Sequence, residues 1–307
     1  MAMRDSTAPM PPAQPTTPAR SAKEHTMTTT PIPTNEITAT PVPPSHEADA
    51  ATSRVTFGRL VSAEWLKFRT VRANLAALGG AAAAAVGFGA LFSSLAGSGN
   101  GPQDLGQNAL SLSLGGFRLA EIIIAILGMA LVAGEYQTGL IRTWFGAAPR
   151  RLSVLAAKAT VYGGLVFVVA FAAAILAFLA GQALLPAGWE SLTLGSEGVL
   201  RALVGTAFYS AAIGVMGIGL GFLLRSTASG AGAVVTMLMI APLMVSLLPA
   251  SISDPLGKIL PSNAASAVDG MQTGSELLST GWGVAVLLAW VIGIVGAAAI
   301  LLKRRDA

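Results

Sequence analysis

The sequence contains no cysteine, which excludes disulfide bonds, thiolate metal sites and a cysteine nucleophile. Charged residues make up only 11% of the 307-residue chain, whereas a soluble domain averages roughly 25%. Both histidines, His25 and His46, lie within the first 53 residues, so the remainder has no imidazole for acid–base chemistry. With 53% hydrophobic residues, the composition predicts an integral membrane protein that has little soluble mass.

The motifs of common catalytic and cofactor sites are also missing. The Gly257–Lys258 pair does not form a phosphate loop: Ile252 stands in place of the first glycine, and Ile259 in place of serine or threonine. No HExxH or GxSxG motif occurs. Glu121 is the only acid expected inside a span, which argues against a proton-driven carrier. We therefore predict no catalytic, metal or cofactor site, and expect active transport to draw its energy from another subunit.

Residues 1–53 differ in composition from the rest of the chain. They hold 10 of the 17 prolines and show no apolar periodicity. Such a segment buries too little surface to offset the entropy lost on ordering, so we predict a disordered polar tail before a permease domain at 54–307. The tail is either a regulatory arm or dispensable. Translation beginning at Met27 instead of Met1 is a further alternative.

Residues 54–73 have the pattern of an amphipathic helix. Apolar side chains, among them Trp65 and Phe68, recur on one side, and arginine and lysine supply the remainder. Tryptophan suits the membrane interface, and basic residues suit an anionic leaflet of the lipid bilayer. Glu64 and Lys67 are three residues apart and are expected to pair weakly. This helix is followed by long apolar runs.

Six of these runs approach the roughly 20 residues that a helix needs to cross a bilayer. The predicted fold is thus an all-α membrane protein with about six transmembrane helices. Small residues are frequent in these runs, which favours close helix packing. Pro242 is expected to kink the fifth span. The predicted spans are 75–96, 114–134, 154–185, 202–224, 227–250 and 281–302.

The basic residues predict the orientation of the chain. The flanks and loops on the side of the termini hold 13 lysines and arginines, and the opposite side holds three: Arg118, Arg201 and Lys258. By the positive-inside rule, both termini are expected in the cytoplasm. Because the basic residues flank apolar runs and form no patch, we expect no nucleic-acid partner.

The second span carries two charges. To cross the membrane it must include Arg118 and Glu121, which are three residues apart and share a helix face. Ionisable residues within a span often mark a functional site, yet a pair near the headgroups costs little. The two residues are therefore a candidate intramembrane pair that is either structural or faces a substrate.

Residues 134–151, with the sequence GEYQTGLIRTWFGAAPRR, separate the second and third apolar runs. Leu140 and Ile141 belong to an apolar pattern that predicts one side of a short helix, and Glu135 and Arg142 add charge. A helix of this kind between spans must lie at or beyond the membrane surface, where it can contact a soluble partner. The alternative is an ordinary basic loop that fixes topology.

Three stretches give the chain a family resemblance: AEWLKFRT at 63–70, GEYQTGLIRT at 134–143 and PRR at 149–151. The chain resembles a bacterial permease subunit of the ATP-binding-cassette (ABC) type-2 exporter class over about residues 55–305. The tail is not part of the family pattern. The resemblance implies that the N-terminal amphipathic helix is a cytosolic connecting helix. It also implies that the segment after the second span is a coupling helix that docks on a separate ATPase.

Carried onto this sequence, the resemblance implies a docking surface formed by Glu135, Tyr136, Gly139 and Arg142. It further implies a dimer of permeases, either two copies or a paired permease, that works with ABC ATPase subunits in the bacterial cytoplasmic (inner) membrane. ATP would be bound by the partner subunit. Two other functions remain open: a non-transporting immunity or sensor protein, and a secondary carrier with an unrecognised site.

Overall fold

The structure of the chain is a computed structural model that describes residues 56–96, 109–141, 151–189, 192–270 and 279–304. Within these ranges the secondary structure is helical and contains no strand, which confirms the predicted all-α fold. The predicted tail at 1–53 lies outside the described residues, and so do Arg142 and Arg150.

The described helices follow the order expected from the apolar runs. An amphipathic helix comes first. The second span begins with a short helix, and two more short helices lie between the fifth and sixth spans. The fifth span itself contains one π-helical turn, Thr236–Ile240. The helices are α1 (Phe57–Thr70), α2 (Arg72–Leu95), α3 (Ala109–Leu114), α4 (Phe117–Gln137), α5 (Arg151–Leu184), α6 (Val199–Leu224), α7 (Thr227–Val235), α8 (Ala241–Ser246), α9 (Ala250–Lys258), α10 (Pro261–Asp269) and α11 (Thr280–Arg304).

Among the described residues, six helical segments are long and apolar enough to cross a bilayer, in agreement with the predicted number. They identify a multi-pass membrane protein. The segments are Arg72–Leu95, Ala109–Gln137, Arg151–Leu184, Val199–Leu224, Thr227–Ser246 and Thr280–Arg304.

The predicted start of the second span, residue 114, was wrong. The segment begins at Ala109 as α3, and α4 continues it after a break at Gly115 and Gly116. Serines in α3 weaken its apolar signal, which explains the late predicted start. At Gly116 the backbone lies against the carbonyl of Ala85 in the first span, where a β-carbon would not fit.

The fifth span departs from regular α-helix beside its proline. The π-helical turn Thr236–Ile240 ends two residues before Pro242. Proline supplies no amide hydrogen and its ring crowds the preceding turn, so the wider turn accommodates it within the span. The predicted disturbance at Pro242 is therefore present as a π turn, and the span ends at Ser246, four residues before the predicted end.

The fourth span, α6, lies at the centre of the bundle and packs on α4, α5 and α11. Small residues make this packing close: a β-carbon at Gly217 would fall on the carbonyl of Ala125, and one at Gly128 would fall on the carbonyl of Gly214. Small residues at such crossings allow backbone approach in a membrane protein, where lipid removes the hydrophobic drive between helices.

Contacts between the ends of the spans define two faces of the bundle. On the face that carries α1, which we call the terminal face, Gln137 Nε2 donates to Thr227 Oγ1 at 3.1 Å. On the opposite face, which we call the far face, Arg201 Nη2 donates to the Ala267 carbonyl at 2.7 Å. Trp290 Nε1 donates there to the Ile259 carbonyl at 2.7 Å. Each face therefore brings together residues that are distant in sequence.

Candidate functional site

Four charged side chains from three helices meet on the terminal face; we call them the ion cluster. Glu64 and Lys67 come from α1, Glu135 from the last turn of α4, and Lys158 from the early turns of α5. The Lys158 ammonium donates to Oε1 of Glu64 at 2.7 Å and to Oε1 of Glu135 at 2.6 Å. Lys67 Nζ also contacts Oε1 of Glu135, so two ammonium groups share one carboxylate oxygen.

The ion cluster is shielded from solvent. Glu64, Glu135 and Lys158 are 8%, 4% and 3% exposed. A cavity of about 20 Å³ adjoins the cluster, with Asn74 in its wall, and this is room for about one water molecule. The two acids and two lysines balance in charge, as buried ions must to offset the loss of hydration. Removing any one of them leaves an uncompensated buried charge.

The pattern of α1 explains why the cluster forms. Leu60, Glu64 and Phe68 recur every four residues and are the buried positions of the helix. Leu60 packs with Val154 and Ala157 of α5, and the ring of Phe68 lies 6.0 Å from that of Tyr162. Glu64 is thus buried because it lies between Leu60 and Phe68 on the packed face of α1. Its expected partner, Lys67, contacts Glu135 and also interacts electrostatically with Glu64.

The environment of Lys67 perturbs its ionisation. Burial lowers its pKa, and the neighbouring Lys158 ammonium lowers it further, from the ordinary 10.5 to about 8. The side chain keeps 25% of its surface exposed, so it exchanges protons with solvent. The charge balance of the ion cluster therefore depends on pH in the mildly alkaline range.

The structure places the predicted coupling residues in different environments. The helix of the second span ends at Gln137, Gly139 adopts a left-handed φ of 74°, and helical backbone resumes at Leu140 and Ile141. Leu140 is 44% exposed, whereas Ile141 is only 3% exposed and belongs to the core. The segment thus turns sharply at its glycine and presents Leu140 outward.

Of the other coupling residues, Glu135 is buried in the ion cluster and Tyr136 is half-buried. Arg142 lies outside the described residues. A partner that approaches this face therefore meets Leu140 before it meets Glu135 or Ile141. The docking role of the segment stays a prediction.

A second terminal-face contact joins the coupling segment to the loop between the fourth and fifth spans. The Arg225 guanidinium lies 4.8 Å from the centroid of the Tyr136 ring, a cation–π contact. Arg225 has a φ of 52°, so it holds left-handed backbone without being glycine. No sequence pattern indicates this contact, because Arg225 stands in a very short loop.

Arg118 and Glu121 lie together on the far face. Arg118 Nη1 is 4.0 Å from Glu121 Oε2, and Nη2 donates to Ser266 Oγ of α10 at 3.4 Å. The Arg118 side chain is 45% exposed, while that of Glu121 is 7% exposed. The two side chains are thus within ion-pair distance, and Arg118 also connects α10 to the second span.

Sequence reasoning missed Lys158 as a site residue and counted it only as a topological charge. A signal was present, because Lys158 is the sole charge in the run 152–189 and would lie inside the third span. Its partners are 94 and 23 residues away in sequence, so no local spacing identified them. Among the described residues, no group of three or more histidine, aspartate or glutamate side chains forms a candidate metal site.

Comparison with protein-family models returned no match, and neither did a search of curated proteins. Function is therefore inferred from the geometry of the terminal face and from the sequence resemblance.

Proposed function

We propose that this chain is the membrane-spanning permease subunit of an ABC exporter of the type-2 class, and that ATP is bound and hydrolysed on a separate ATPase subunit. The observation that carries the proposal is the ion cluster. It fastens α1, the end of the second span and the start of the third span to one another, next to the exposed Leu140. A permease that does not hydrolyse ATP itself needs a rigid connection between its spans and the surface on which the ATPase subunit docks.

In this proposal, the ATPase pushes on the segment that begins at Gly139, and the force enters the second span through the helix that ends at Gln137. Glu135 lies within the last turn of that helix and is bonded to Lys158 and Lys67. Separating one charge from the others inside the protein costs several kcal/mol. The three helices therefore move as a unit, and movement at the surface reaches the interior of the bundle.

The proposed assembly contains two permeases, in a bacterial cytoplasmic membrane with both termini inside. The asymmetry of basic residues supports this orientation. The fifth and sixth spans bury little of their surface within the single chain. Met239, Leu243 and Met244 on the fifth span are exposed, as suits contact with lipid or with a second permease copy.

Copurification tests the proposal. The chain is expressed with the ATPase encoded beside it, and the ATPase retained on a tagged chain is measured. Leu140→Ser should reduce retention by about tenfold, because docking depends on a few apolar anchors. Leu194→Ser is the matched control: Leu194 is 48% exposed, against 44% for Leu140, but lies on the far face.

Equal retention by the Leu140→Ser and Leu194→Ser variants would contradict docking at this segment. Absence of any ATPase on the unaltered chain would contradict the exporter assignment itself.

A further inference from the structure

The far face contains a cavity that the proposed function does not use. Its volume is about 490 Å³, within the range of roughly 300–1,000 Å³ typical of small-molecule sites. It opens where α3, the described part of the connection between the third and fourth spans, and the end of α10 meet. Its wall includes Leu110, Trp189, Glu197, Arg201 and Asp269.

The charges in the wall favour a positive ligand. Glu197 and Asp269 contribute two carboxylates, and Arg201 contributes one guanidinium. The guanidinium is already engaged, because its Nε donates to the Val268 carbonyl at 3.1 Å and its Nη2 to that of Ala267 at 2.7 Å. These carbonyls belong to the last turn of α10, where a helix carries partial negative charge.

The remaining wall supplies apolar and aromatic surface. Trp189 brings an indole ring, and Leu110 and Leu192 bring aliphatic side chains. Aromatic rings attract cations through their negative faces, and tryptophan does so most strongly. An exposed carboxylate in the same cavity wall as an indole and aliphatic side chains is a combination that recognises an ammonium group carrying hydrocarbon substituents. An anion would meet two carboxylates, and the one guanidinium there already bonds backbone carbonyls.

We propose that the far-face cavity binds a small organic cation, an alkyl- or arylammonium compound, with Glu197 and Trp189 as its main contacts. Glu197 is exposed and has no ion-pair partner among the described residues, so it is available to a ligand. Asp269 is 3% exposed and interacts electrostatically with Arg118, so its charge contributes less to the cavity than that of Glu197. Binding at this site needs neither ATP nor an ATPase, so it stands apart from the exporter proposal.

The test uses the full chain in lipid nanodiscs, labelled with 5-fluorotryptophan. The fluorine resonance of Trp189 is assigned by its loss in Trp189→Phe. Benzyltriethylammonium should shift this resonance saturably, and benzenesulfonate, an anion with a similar ring, should not. Glu197→Gln should weaken binding at least about fivefold, since it removes the charge and keeps the shape. Asp254→Asn is the matched control, because Asp254 is also an exposed acid but lies outside the cavity wall, on α9 between the fifth and sixth spans.

Three results would overturn the proposal: no saturable shift within the solubility of the cation, equal shifts with cation and anion, or unchanged affinity in Glu197→Gln. If Asp254→Asn weakens binding as much as Glu197→Gln does, the attraction is general surface charge and the cavity is not the site.

Discussion

Replacing Lys158 with methionine tests the ion cluster most directly. The substitution keeps the length of the side chain and removes the ammonium that bonds both Glu64 and Glu135. Lys67 then remains as the one cation beside two buried carboxylates. We expect α1 to detach from the bundle more readily, because the cluster now holds an uncompensated negative charge.

The structure sets the expected size of the effect. Glu64, Glu135 and Lys158 are each less than 9% exposed, so water relieves little of the imbalance. Removing one partner from a buried ion pair costs roughly 3–5 kcal/mol. Since about 1.4 kcal/mol is a factor of ten, the equilibrium for detachment should rise by about 100-fold or more.

Cysteine accessibility measures this equilibrium, and the chain has no cysteine of its own to interfere. A cysteine at position 60 replaces a side chain that is 4% exposed and packs on α5, so it reacts with a bulky maleimide only when α1 opens. A cysteine at position 66, where the native side chain is 61% exposed, gives the reference rate on the same helix.

Double replacement distinguishes charge balance from lost packing. Glu135→Gln with Lys158→Met removes one charge of each sign and leaves Glu64 with Lys67. The accessibility of the cysteine at position 60 should return most of the way toward that of the unaltered cluster. The reasoning is refuted if Lys158→Met leaves the accessibility of the cysteine at position 60 unchanged. It is also refuted if the free-energy change of the double variant equals the sum of the changes in the two single variants.

Three further outcomes follow from local geometry and chemistry. In detergent, the free energy of unfolding of Arg225→Gly should exceed that of Arg225→Ala by about 1 kcal/mol, because alanine retains the strain of left-handed backbone. The reverse order of stability would contradict this. Gly217→Ala should lower the midpoint of thermal unfolding, since its β-carbon meets the backbone of the second span, while Gly87→Ala, which faces open space, should not; equal effects would refute the close crossing. For Lys67, the folded pKa of about 8 lies below the ordinary 10.5, so the detached state binds more protons between these values. Docking of α1 should therefore strengthen as the pH rises from 8 to 10.5. Lys67→Arg, which stays protonated, should weaken that trend in the same cysteine assay, and an unchanged trend would contradict its assignment to Lys67.

Much of the fold could be predicted because transmembrane helices leave a strong local signal. A helix in lipid must satisfy its own backbone and present apolar side chains over about 20 residues, so each span is visible in one stretch of sequence. The first and third spans, observed at Arg72–Leu95 and Arg151–Leu184, begin within three residues of their predicted starts. The start of the second span was harder to predict, because serines and glycines near it reduce the apolar signal.

The candidate site depended on information that is not local. Glu64, Glu135 and Lys158 belong to three helices, and only their packing brings the charges together. The sequence predicted Glu135 on a docking surface, whereas the structure buries it. Glu135 is buried where it contacts Lys67 of α1 and Lys158 of α5, and no periodicity within residues 134–151 reveals these contacts.

Distance measurement in the complete complex tests the central claim, that the ion cluster carries motion from the ATPase into the spans. Spin labels are attached to cysteines at position 66 on α1 and at position 254 on α9, both exposed sites. Their separation is measured by pulsed electron paramagnetic resonance, without nucleotide and with ATP and vanadate. The account predicts a nucleotide-dependent change in the unaltered cluster that is lost in Glu135→Gln, although the ATPase remains bound through Leu140. An identical change in both proteins would contradict it.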